Sequence, residues 1–66
     1  MMNKGDFFMN IPKDPVMLLS FLNLKLRDEY ASLEDMCKSL SLDIEEILEK
    51  MKTIGYEYSL EENRFF

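Results

Sequence analysis

The chain has no histidine, no tryptophan and a single cysteine, Cys37, among its 66 residues. Without histidine it lacks the side chain that ordinarily titrates near neutral pH, and with it the usual general base and the commonest zinc ligand. One cysteine forbids an internal disulfide. Its position on an apolar helical stripe points to a buried, inert thiol suited to a reducing cytoplasm. With two glycines no Gly-rich phosphate loop can be assembled, and neither an HExxH nor a calcium-loop pattern occurs. No catalytic, cofactor-binding or metal-binding residue is expected. Long apolar runs are missing as well. The best candidate, Val16 to Leu22, falls far short of the roughly 20 residues a membrane span needs. It follows Asp6, Asp14 and two prolines, and it lacks the small-residue cleavage site of an export signal. Positive charge is the last scarcity, with eight Lys and Arg against 13 Asp and Glu and a net charge of -5. That balance repels phosphate backbones and anionic membranes. The expectation is a cytoplasmic, non-enzymatic protein with no membrane attachment, no small-molecule substrate and no nucleic-acid partner.

What is present is enough to fold. An apolar fraction of 47% and a charged fraction of 32% are those of a globular chain rather than a disordered one. At this length a single core leaves a margin of only about 3 to 5 kcal/mol, which contact with a second copy would raise. The chain is organised around Ser32 to Tyr58. Leu33, Met36, Cys37 and Leu40 fall at i, i+3, i+4 and i+7, and Ile44, Ile47, Leu48 and Met51 repeat the spacing, so two helices each present one apolar stripe. Ser32 with Asp35 resembles a capping box. Asp43 with Glu46 is a second, flanked by Leu42 and Ile47 as a hydrophobic staple. Gly55 should stop the second helix.

Upstream, Asp14 followed by Pro15 marks another helix start. The boundaries predicted are Pro15 to Asp28, Leu33 to Leu40 and Ile44 to Ile54. In the first helix Leu18, Leu19, Leu22, Leu26 and Tyr30 share one side, and Met17, Phe21 and Leu24 another. Only Ser20, Asn23 and Arg27 form a clean polar strip. Residues 1–14, with Phe7, Phe8, Met9 and Ile11, are too apolar for an idle tail and too punctuated for a helix, so they form an arm ahead of a single domain at 15–66. The wide apolar circumference of the first helix has two readings. Either both sides are core, with the arm laid over the second, or Phe7, Phe8, Met17, Phe21 and Leu24 form the interface of a homodimer.

After Gly55, Tyr56 and Tyr58 alternate with Glu57 and Ser59 in strand period, Leu60 to Asn63 supply a turn, and Arg64 to Phe66 return as a second strand. The predicted fold is α+β and mostly α, three helices and a C-terminal two-stranded hairpin. The predicted core is Leu18, Leu22, Leu26, Leu33, Met36, Leu40, Ile44, Ile47, Leu48 and Met51. Replacing Leu48 by Ala in such a core would cost about 2 to 5 kcal/mol.

LSLD at the turn and IGYEY at the hairpin entry give the chain a form that resembles a winged-helix domain. The longer stretches IPKDPVMLLSFLNLKLRDEYASLEDM and IGYEY are similar to a family of short bacterial proteins catalogued as a domain of unknown function. The first resemblance implies that the third helix is a recognition helix, the hairpin a wing, and the protein a DNA-binding transcriptional regulator. One departure is Ser41, where helix-turn-helix turns commonly have glycine. The residues of the third helix argue against DNA. Opposite its stripe it presents Glu45, Glu46, Glu49 and Thr53, where major-groove readers carry Arg, Lys, Asn or Gln. The remaining bases are too few and too scattered to neutralise a typical phosphate footprint. The function expected is therefore a protein-protein interaction module with a protein partner of unknown identity, using Glu45, Glu46, Glu49 and Thr53. The other reading of those acids is a solvated exterior.

Overall fold

The computed structural model describes residues 11–66. Helices α1 (Pro15–Asp28), α2 (Leu33–Leu40) and α3 (Ile44–Lys52) precede an antiparallel hairpin of β1 (Tyr58–Ser59) and β2 (Arg64–Phe65). The fold is α+β, mostly α, with an element order compatible with a winged-helix-like topology.

The helices start at side chains that satisfy free backbone amides. The Asp14 carboxylate accepts from the Met17 N–H at 3.0 Å with Pro15 in the first turn, and Ser32 Oγ accepts from the Asp35 N–H at 3.1 Å. Asp43 Oδ1 accepts from the Glu45 N–H at 3.0 Å. α2 ends on Ser41 at φ 59, a left-handed backbone that costs a non-glycine residue about 1 to 2 kcal/mol. The Leu42 N–H bonds back to the Cys37 carbonyl at 2.8 Å, so the turn closes without glycine. α3 stops at Lys52, two residues before the expected Ile54. Its last turn tightens, with Gly55 N–H on the Lys52 carbonyl and Tyr56 N–H on the Met51 carbonyl, both at 3.0 Å. Gly55 supplies the positive φ of 83° that this end motif requires.

The core is made by Leu18, Leu22 and Leu26 of α1, Leu33, Met36, Cys37 and Leu40 of α2, Ile47 and Met51 of α3, and Phe65 of β2. Ile44 is half-buried against it. Leu48 does not belong to it. The residue is 40% exposed, because one step of about 100° beyond Ile47 carries it to the edge of the α3 stripe, where no other element among the described residues covers it. Phe65, only 1% exposed, supplies bulk that the helical stripes alone do not.

Phe65 reaches that position because the hairpin is fastened to α1. Glu57 and Phe66 exchange both backbone hydrogen bonds, at 3.1 and 3.0 Å, and Tyr58 pairs with Phe65 in register. The alternation of an antiparallel ladder then turns the N–H and C=O of Phe65 away from β1 and brings its ring close to that of Tyr58. The ring centroids are 5.4 Å apart. Asn23 of α1 satisfies the outward groups as a third strand would. Its Oδ1 accepts from the Phe65 N–H at 2.8 Å and its Nδ2 donates to the Phe65 carbonyl at 3.1 Å. The polar strip of Ser20, Asn23 and Arg27 is thus, at Asn23, the hairpin's docking line. Asn63, left-handed at φ 54, fixes the tip. Its Nδ2 donates to the Leu26 and Tyr30 carbonyls, each at 3.0 Å, while its Oδ1 accepts from the Tyr58 hydroxyl at 2.6 Å. That hydroxyl oxygen also accepts from the Leu33 N–H at 3.1 Å, so one relay joins the hairpin, the end of α1 and the start of α2.

Candidate functional site

α3 places Glu45, Glu46, Glu49 and Thr53 together on the exposed side of the helix. The arrangement follows from the stripe, since Ile47 and Met51 buried on the core side leave the acids outward. None of the three carboxylates is in an ion pair among the described residues. Thr53 contributes less than its exposure suggests. Its hydroxyl donates to the Lys50 carbonyl at 2.6 Å, finishing the helix end. The composition of the face is changed by Leu48, which together with Glu45, Glu49 and Lys52 lines a shallow surface depression. An exposed leucine flanked by acids at i-3 and i+1 makes a different surface from the polar one expected, and its spacing alone had assigned it to the core.

The second predicted surface divides. Met17 is 62% and Leu24 50% exposed on α1. Phe21, between them, is half-buried against the core and lies beneath the Lys25 ammonium, 5.8 Å from the ring centroid. Phe7 and Phe8 lie outside the described residues. Lys25 is itself buried, and its Nζ meets Glu29 Oε2 at 2.8 Å one turn on. Beside it the Arg27 guanidinium donates to Asp28 at 2.9 and 3.3 Å. That hydrogen bond raises the Arg27 pKa and holds the Asp28 carboxyl below its ordinary value.

Between α1 and β2 runs an open groove of about 880 Å³, bordered by Asn23, Leu24, Arg27, Arg64 and Phe66. Its volume falls in the range of ligand pockets, more room than the size of the chain suggests. Both arginines beside it are already paired, Arg27 with Asp28 and Arg64 with Glu62 at 3.2 Å, and Arg64 covers the Phe66 ring at 4.9 Å.

Cys37 is buried, and burial, with the Asp43 charge as a smaller cause, pushes its thiol pKa up, keeping it protonated and unreactive. Among the described residues no group of three or more acids or cysteines comes together to hold a metal ion. No helix among them is long and apolar enough to cross a membrane.

A family described as "Domain of unknown function (DUF4250)" matches residues 12–65. No curated protein and no solved structure matches the chain.

Proposed function

The chain belongs to the DUF4250 family, and we propose that it is a non-enzymatic protein-protein interaction module whose contact surface is the outer face of α3. The observation that carries this reading is Leu48. An apolar side chain left 40% exposed beside Glu45, Glu49 and Lys52 offers a small hydrophobic anchor in a mainly acidic rim. Such a surface is complementary to a basic protein face with an apolar hollow. The acids steer the encounter, and burial of Leu48 supplies contact energy. The winged-helix-like order of elements favours DNA as the alternative partner. On that reading the same helix would enter the major groove, where three carboxylates meet phosphates with repulsion and can read little beyond cytosine amines.

The test is capture of partners by the tagged full-length chain from nuclease-treated native extract, run beside Leu48→Lys and the pair Glu45→Lys with Glu49→Lys. A partner retained after nuclease and lost with both variants supports the reading. Retention that disappears with nuclease overturns it, as does sub-micromolar, salt-sensitive binding of mixed duplex DNA in a gel shift. Either result makes a DNA-binding regulator the answer.

A further inference from the structure

We propose that α1 is the interface of an antiparallel homodimer, in which Met17 of one copy packs on Leu24 of a second. This surface is separate from the α3 face. At about 100° per residue, Met17 and Leu24 point in nearly the same direction from α1, with Phe21 to one side of that line and Ser20 to the other. Val16, Met17 and Leu24 are all at least half exposed, more apolar exposure than any other element of the described chain presents. A twofold axis passing beside Phe21 makes the stripe complementary to itself. Met17 faces Leu24 of the second copy at both ends, Phe21 faces Phe21, and the small Ser20 faces Ser20, where it lets the backbones approach.

The stripe's self-complementary spacing points to a second copy as the occupant, and charge selects the direction. The chain as a whole carries -5, so two copies repel wherever their acidic surfaces meet. α1 is the exception, since the charges at its end, Lys25, Arg27, Asp28 and Glu29, sum to zero. An antiparallel pair brings Lys13, beside the start of the helix, toward Asp28 at the end of the other copy's helix. A parallel pair instead places Lys13 against Lys13 and Asp28 against Asp28. Phe21 is half-buried against the core and under Lys25, and its remaining exposed surface joins the contact.

Sedimentation equilibrium of the full-length chain over a range of concentrations reads the association directly. The expected result is a reversible dimer of twice the 7.9 kDa chain mass. Met17→Glu and Leu24→Lys change exposed residues, so each variant should keep the wild-type melting profile and helical circular dichroism. Each should weaken association on the order of 100-fold, because a charge is placed in the apolar contact. The double variant M17E/L24K decides the geometry. In an antiparallel pair the new acid of one copy faces the new base of the other, so association returns toward the wild-type level. In a parallel pair like charges meet and it does not. A wild type that stays monomeric overturns the proposal, as does a dimer indifferent to Met17→Glu, or a double variant no better than the singles. A monomer whose fold is destabilised by Met17→Glu also overturns it, by showing that the face is covered within one chain.

Discussion

The hairpin and the third helix sit on the same core but are held to it by different means. β2 is clasped to α1 through Asn23 on both backbone groups of Phe65, and its tip is tied by Asn63 to the end of α1. α3 is held mainly by apolar contact through Ile47 and Met51, with Ile44 half-buried beside them, and its outward residues make no comparable bonds to other elements among the described residues. Directional bonds fix register and orientation, whereas an apolar stripe fixes only which side faces inward. The hairpin is therefore a structural fixture, and the adaptable surface is on α3. A hairpin spent on bracing the domain has fewer groups left for a ligand, and this is a second physical reason, besides charge, behind the proposal that a partner meets the helix.

The comparison breaks most readily at Asn63. Asn63→Ala removes two donors to the Leu26 and Tyr30 carbonyls and the acceptor of the Tyr58 hydroxyl, and it forces alanine into a left-handed backbone. A loss of about 3 kcal/mol or more is expected, comparable with the whole margin of a domain this size. Urea denaturation measures it. Asn63→Gly, which tolerates the backbone but also loses the side chain, should recover only the smaller conformational part. Melting of Asn63→Ala at the wild-type midpoint would mean that the tip is not clasped.

Next in size is Asn23→Ala, with an expected loss of about 1 to 3 kcal/mol, because the Phe65 N–H and C=O are left without their partners at a partly buried site. Hydrogen exchange gives a residue-level check. The Phe65 amide should exchange faster in the variant, while the amides of Leu40 and Met51 keep their protection relative to global unfolding. Equal acceleration at all three would show that Asn23 supports the fold as a whole and not the hairpin joint.

These two asparagines also mark where the sequence could be read and where it could not. Helix starts at Asp14, Ser32 and Asp43, the glycine stop at 55 and the left-handed turn at Asn63 depend on neighbours within a few residues, so local chemistry determines them. The amphipathic stripes of α2 and α3 did the same for Leu33, Met36, Leu40, Ile47 and Met51. Asn23 pairs with a residue 42 positions away and Asn63 with residues 33 and 37 positions away, a separation at which periodicity carries no information. The one available signal was that Ser20 and Asn23 are neutral, while a solvated strip in so charged a chain is ordinarily built of Lys and Glu. Leu48 failed for a related reason. Spacing places it on the stripe, but whether the edge of a stripe is covered depends on how many elements surround the helix, and among the described residues none lies there.

Leu48 therefore gives the smallest expected effect on stability and the sharpest contrast within one helix. Met51 is fully buried, and Met51→Ala should cost about 2 to 5 kcal/mol through lost burial and a residual cavity. Leu48→Ala, three residues earlier at an exposed edge, should cost less than about 1 kcal/mol, with circular dichroism unchanged. Its effect should fall on association instead, since truncation removes the apolar anchor while Glu45, Glu46 and Glu49 remain to steer the encounter. In a binding assay with the captured partner that predicts a faster off-rate at nearly constant on-rate, whereas Glu49→Gln should slow the on-rate and weaken its salt dependence. Equal destabilisation by Leu48→Ala and Met51→Ala would return Leu48 to the core, and α3 would then present only charge.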